Sequence, residues 1–123
     1  MYKRKTPVTL ECGLDLVGEV LYGKWKMRLL YFIHQGYERP SELHRKIPDA
    51  SPRVLFMQLK ELEEHRLLER TVYPQVPLKV EYRLTEVGKT LIPLIHQLGS
   101  WADEHDEFLR PLVLGSIRAK VLR

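Results

Sequence analysis

The chain has 123 residues, 44% of them hydrophobic, a net charge of +4 and a single cysteine, Cys12. This length fits one domain with a modest core, the lone cysteine excludes an internal disulfide, and no apolar run approaches the ~20 residues that span a bilayer. A soluble cytoplasmic protein of a reducing compartment is expected, since Lys3-Arg4-Lys5 is not followed by the apolar stretch of a signal peptide.

Charge is unevenly distributed. Lys24, Lys26, Arg28, Arg39, Arg45 and Lys46 face only Glu38 and Glu42 in the same stretch, Lys3-Arg4-Lys5 makes a basic arm over residues 1 to 12, and Asp103, Glu104, Asp106 and Glu107 form an acidic cluster. Leu14, Val17 and Leu21, with Leu10 one turn earlier, predict a short helix over 13 to 23. Trp25, Leu29, Phe32 and Ile33 predict a second, and Gly36 stands where a left-handed cap belongs. Pro40 to Ile47 reads as a third helix of about two turns, which Pro48 prevents from continuing.

A stronger start signal follows. Ser51 can accept from free amides at a helix start, Pro52 has no amide to lose there, and Leu55, Leu59 and Leu62 make one apolar face. Leu68 to Tyr73 and Val80 to Leu84 have strand chemistry, and the Pro74-Gln75-Val76-Pro77 segment between them predicts a stiff projecting loop. Thr85 can cap a last helix over 86 to 110, bearing Leu91, Leu94, Leu98 and Trp101, in which Pro93 should bend or break the ladder. Residues 111 to 123 read as a short, basic, loosely held tail.

This order describes a mainly α fold with a two-stranded β wing. It is a winged helix-turn-helix with its core over 25 to 65, its wing over 68 to 84, and helices 13 to 23 and 86 to 110 outside the core. A tight turn between the third and fourth helices lets one brace on a DNA backbone while the head of the other enters the major groove. The candidate reading set is Ser41 on the bracing helix, Ser51, Pro52, Arg53, Phe56, Met57, Gln58 and Lys60 on the reading helix, and Lys79 beside the wing loop. Arg53 can reach a guanine edge or a phosphate, and Ser51 can meet a phosphate with its hydroxyl or with the helix-terminal amides. Glu61, Glu63 and Glu64 are tolerable because they lie in the later turns.

Trp25-Lys26 with Leu29-Leu30, the ELHRKIPDASPRVLFMQLKELEE block, LLERTVYPQVPLKVEYRLTEVGKTL and Trp101 together resemble the HxlR family of bacterial winged-helix regulators, in the MarR/ArsR-like superfamily. The resemblance runs from about Cys12 to His105. It implies a homodimer built from the first and last helices, bound to inverted-repeat promoter DNA, and a cysteine just before the first helix, here Cys12, that senses electrophiles or oxidants in some members. Where the family often carries a polar Thr-Gln pair and then a basic residue, this chain has Phe56, Met57 and Gln58.

Two functions follow from these observations. One is a dimeric, sequence-specific regulator of transcription on double-stranded DNA, with Leu14, Val17, Leu21, Leu91, Leu94, Leu98 and Trp101 at the dimer interface and Cys12 as a sensor. The other is a winged-helix module that binds protein or RNA, for which the apolar Phe56-Met57 on the reading helix is the best argument. Salt discriminates, because phosphate contacts release counterions and weaken steeply with ionic strength. A small-molecule effector at the dimer junction remains open. His34, His44, His65, His96 and His105 lack metal-ligand spacing, no cofactor motif is present, and no phosphate loop, GxSxG or Rossmann glycine pattern points to an enzyme.

Overall fold

The computed structural model describes residues 9 to 122, so the Lys3-Arg4-Lys5 arm lies outside the described residues. In chain order the elements are α1 (Gly13–Val20), α2 (Lys26–His34), α3 (Pro40–Lys46), α4 (Pro52–Glu64), β1 (Leu68–Tyr73), β2 (Lys79–Leu84), α5 (Glu86–Glu104) and α6 (Asp106–Val121). They divide into two units, one up to Lys89 and one from Thr90 on. The first unit is a winged helix-turn-helix.

Its core is built from the apolar faces foreseen for α2, α3 and α4. Leu29, Leu30, Ile33, Leu43, Ile47, Leu55, Leu59 and Leu62 are buried, joined by Leu67, Leu68 and Tyr82 from the hairpin. Each such side chain contributes roughly 1.5–3 kcal/mol on burial. Leu10 precedes α1 and is exposed, and no residue of α1 is buried.

Helices α2 and α4 end by the same device with different residues. Past α2, Gly36 takes φ +105, its amide donates to Ile33 O at 3.0 Å, and Tyr37 N donates to Phe32 O at 3.1 Å. Past α4, Arg66 takes φ 60, donating to Glu63 O at 2.9 Å, while Leu67 N donates to Leu62 O at 3.0 Å. Both are Schellman closures, in which a left-handed residue turns the chain and satisfies the last carbonyls. Leu62 and Leu67, both buried, supply the apolar contact that accompanies such a closure. The chain therefore passes from α4 to β1 in three residues without a glycine.

Strands β1 and β2 are antiparallel, pairing Leu68 with Leu84 through Tyr73 with Lys79, and residues 74 to 78 form the loop at the wing tip. The proline-bounded loop projects as expected, with Val76 and Leu78 exposed. Tyr82 N donates to Glu38 O at 2.8 Å and the Glu38 carboxylate pairs with Arg83 at 3.2 Å, so β2 is also tied to the connection before α3. Burial pushes the Tyr82 phenol above its ordinary value.

The start of α5 closes on the Leu67 peptide. Thr85 N donates to Leu67 O at 3.0 Å, Thr85 Oγ1 donates to Arg66 O at 2.7 Å, and Gly88 N donates to Thr85 Oγ1 at 3.0 Å. A Cβ on Gly88 would sit 2.2 Å from Leu67 O. Thr85 is thus a cap and Gly88 a close approach of backbone to backbone.

Expectations for the second unit are corrected. Helix α5 runs through Pro93 without a break and ends at Glu104, so the expected single helix over 86 to 110 is divided between α5 and α6. Ile92 and Ile95 beside it are buried, and their burial at roughly 1.5–3 kcal/mol each offsets the ~3 kcal/mol of an internal proline. Residues 111 to 121 are not a loose tail but most of α6, which also contains Pro111. Asp106 and Glu107 in its first turn and Arg118 and Lys120 in its last complement the helix dipole. Arg110 Nε donates to both Asp106 oxygens at 3.1 and 3.0 Å, and this bonding holds the Asp106 carboxyl below its usual range.

The two left-handed and close-approach positions give a signed prediction. Gly88→Ala should lower unfolding stability by about 3 kcal/mol, because the Leu67 carbonyl is backbone and must move. Arg66→Gly should raise it by about 1 kcal/mol by removing a left-handed residue that carries a Cβ. Urea denaturation of both variants checks the pair. A neutral Gly88→Ala would mean that α5 does not approach Leu67 so closely.

Candidate nucleic-acid interface

The head of α4 is held by Ser51, whose backbone is extended and whose Oγ accepts from Val54 N at 3.2 Å. Its hydroxyl hydrogen stays available to an outside acceptor. Pro52 begins the helix, and Arg53 in the first turn is exposed and makes no ion pair among the described residues. Ser41, in the first turn of α3, lines a shallow groove of about 260 Å³ with His44, Pro52 and Phe56. The structure thus brings Ser41, Pro52 and Phe56 together, with Ser51 and Arg53 at the same helix start.

The remaining candidates are placed differently. Met57, Gln58 and Lys60 line a larger hollow of about 560 Å³ with Tyr22 and Gly23 from the α1–α2 connection. Gln58 Oε1 accepts from Trp25 N at 3.0 Å, which caps the start of α2. Gly23, at φ +155, lies so close that a Cβ there would meet Gln58 Cδ at 3.1 Å. Gln58 is therefore a structural tie between α4 and α2 in this state, with its carbonyl committed.

Lys79 is held within the wing. Its Nζ lies 4.7 Å from the Tyr73 ring centroid and 3.5 Å from Glu81 Oε1. Burial opposes ionisation of Glu81, but the Tyr73 hydroxyl and the Lys79 ammonium outweigh it and hold the carboxyl below its usual range. The positive charge of Lys79 is in large part answered inside the protein.

Lys26 corrects the basic stretch. It is buried, and its Nζ donates to Glu61 Oε2 at 2.9 Å. It precedes Leu29, Leu30 and Ile33 by three, four and seven residues, so it occupies the apolar face of α2, a spacing that was visible in the sequence. Lys24, Arg28, Arg39, Arg45 and Lys46 remain exposed. Lys24 and Arg28 lie over Trp25, Arg28 also over Phe32, and Lys46 over Tyr37, so this face pairs cations with rings. Arg28 also donates to Lys46 O at 3.4 Å at the C-terminal end of α3, a contact the charge count could not show.

Cys12 is exposed and is the N-cap residue of α1. The Asp15 carboxylate accepts from Glu11 N at 2.9 Å and from Cys12 N at 3.2 Å, so a negative charge sits beside the cysteine backbone. The apolar residues assigned to a dimer interface are open: Leu14 is 80% exposed, and Val17, Leu94, Leu98 and Trp101 are exposed too, while Leu21 and Leu91 are half-buried. Among the described residues no cluster can hold a metal, and no helix is long and apolar enough to cross a membrane.

A model of HxlR-like helix-turn-helix proteins matches residues 20–109. The HTH-type transcriptional regulators YkvN and YybR of Bacillus subtilis are 44% and 40% identical, over 78% and 89% of this chain and 81% and 84% of their own. Among solved structures, the redox regulator HypR in its reduced form is similar with a TM-score of 0.76 and 39% identity, covering 81% of this chain and 99% of its own. The reduced form of the transcriptional regulator YodB from B. subtilis matches with a TM-score of 0.65 and 32% identity, covering 77% and 94%.

The Lys26–Glu61 pair is asymmetric in burial, with side chains 1% and 37% exposed. Glu61→Ala strands a buried ammonium and should cost about 3 kcal/mol of stability. Lys26→Met keeps the stem and leaves a carboxylate that water reaches, and should stay within about 1 kcal/mol of the parent. Chemical denaturation of both decides it. A larger loss for Lys26→Met would show that the ammonium is not buried as described.

Proposed function

The chain belongs to the HxlR-like helix-turn-helix family of DNA-binding transcriptional regulators, and from that premise we propose that it works as a cytoplasmic homodimer on inverted-repeat promoter DNA, with Cys12 as the residue that gates binding. The observation that carries this reading is the head of α4. There an exposed arginine that makes no ion pair among the described residues and a capping serine with a free hydroxyl hydrogen lie together. Those are donors aimed outward at a position where the fold presents a helix to a groove.

In this reading Arg53 reads a base edge or anchors a phosphate, Ser41 and Ser51 hold phosphates, and Phe56 meets a thymine methyl group. Gln58 braces the helix from behind, and Lys79 contributes less than an unpaired lysine would. The acids of α4 stand in its later turns, and Glu61 is already neutralised by Lys26. The dimer rests on exposed apolar residues of α1 and α5. Gating rests on the exposure of Cys12 at the start of α1 and on the similarity to HypR, named a redox regulator.

A second reading, docking of a protein or RNA, is favoured by Phe56, which is 53% exposed on the face that would read DNA. Binding to the promoter of the chain's own gene across a salt series separates the two. DNA binding should weaken by a steep power of salt concentration, and Arg53→Ala should cost ~1–3 kcal/mol of specific affinity. Equal, salt-insensitive binding to scrambled DNA would favour the docking module.

Alkylation with iodoacetamide, in which the Cys12 sulfur displaces iodide, should lower DNA affinity in the parent and leave Cys12→Ser unaffected. A response that persists in Cys12→Ser would remove Cys12 as the sensor.

A further inference from the structure

We infer that the apolar stripe running from α5 into α6 pairs antiparallel with the same stripe of a second copy, the two-fold axis lying between Phe108 and Leu112; this rests on the dimeric reading above and gives it a register. Leu91, Leu94, Leu98, Trp101, His105, Phe108, Leu112, Gly115, Ala119 and Leu122 recur at alternating steps of three and four residues, the spacing of a coiled-coil seam. Leu94, Leu98, Trp101, Phe108, Leu112 and Leu122 are each more than half exposed. No residue of α6 is buried.

The stripe keeps its phase where the two helices meet. Only His105 separates them, with His105 N donating to Ala102 O at 3.2 Å and Leu109 N donating to His105 O at 3.0 Å. The His105 ring lies 4.9 Å from Trp101 and 5.5 Å from Phe108, so three successive seam positions stand side by side across the junction.

Charge and size both choose the second copy and its direction. The α5–α6 junction carries Asp103, Glu104, Asp106 and Glu107, and the far end of α6 carries Arg118 and Lys120. In an antiparallel pair centred between Phe108 and Leu112, Glu104 of each copy meets Arg118 of the other, both beside the seam. In the same register Trp101 faces Ala119, His105 faces Gly115, Leu98 faces Leu122 and Phe108 faces Leu112, so the Trp101 and His105 rings meet the two smallest seam residues. A parallel pair would instead set Trp101 against Trp101 and Gly115 against Gly115, and would leave Glu104 without a basic partner.

Sedimentation equilibrium of the full-length chain tests the register. Glu104→Arg and Arg118→Glu should each weaken self-association roughly tenfold by setting like charges opposite one another, and an equimolar mixture of the two should associate as the parent does, because both cross-copy pairs are then opposite in sign. Gly115→Leu, on an exposed helix face, should raise helix content and yet weaken association by filling the space opposite His105. Association unchanged by all three substitutions, or no rescue on mixing, overturns the register, as does a parent chain that is monomeric at micromolar concentration. DNA binding by the same samples separates this from the reading it rests on. A parent dimer without selective DNA binding overturns only the regulator, whereas a selective, DNA-bound dimer indifferent to the charge exchange overturns only this pairing.

Discussion

The peptide of Leu67 is the point on which the DNA-binding unit is assembled. Its amide closes α4 by donating to Leu62, its carbonyl accepts from Thr85, and Gly88 packs its backbone against that same carbonyl. Helix α4, the wing and the start of α5 thus share one hydrogen-bonded node. A longer or more flexible connection would let the reading helix and wing move independently, whereas three residues with satisfied backbone groups leave little freedom. The price is a non-glycine residue, Arg66, in the left-handed region, costing about 1–2 kcal/mol.

Much of this was legible in the sequence where a single residue carries a local meaning. Ser51-Pro52 marks a helix start, Gly36 a left-handed cap, the prolines of 74 to 77 a loop, and Thr85 a cap, and each is found in that role. The close approach at Gly88 and the closure at Arg66 were not legible, because each depends on a partner distant in sequence or on a backbone angle that arginine does not announce. Lys26 was readable in principle, since it stands on the apolar face of its own helix, but charge counting placed it with the surface lysines. Helix α6 was obscured by Pro111 and Gly115, two residues that end helices more often than they sit within them.

Charge on the reading unit is sorted by commitment rather than by amount. Lys26 is held by Glu61, Lys79 by Glu81 and the Tyr73 ring, and Arg83 by Glu38. Once these are set aside, Arg53 at the start of α4 stands out with the ring-backed cations of α2 and α3. A net charge near neutral along α4 is therefore no handicap to the proposed reading, since its acids lie in later turns and one is already paired. The family resemblance assigns polar or basic residues where this chain has Phe56, Met57 and Gln58. Here Gln58 ties α4 to α2 and Met57 is half-buried, leaving Phe56, which lines both the hollow and the Ser41 groove, as the most exposed of the three.

The apolar residues follow a different logic in the two parts of the chain. In the helix-turn-helix and wing the leucines at helical spacing are buried, so that core is complete within one copy. Helix α1 and the helices from Thr90 on keep leucine, tryptophan and phenylalanine exposed along ordered faces. Burial of each such residue is worth roughly 1.5–3 kcal/mol, and an isolated helix the length of α6 is marginal in water without it. The proposed second copy covers the stripe from Leu98 to Leu122. In the proposed dimer, gating at Cys12 would act through the association of two copies and leave the chemistry of Arg53 and its neighbours untouched.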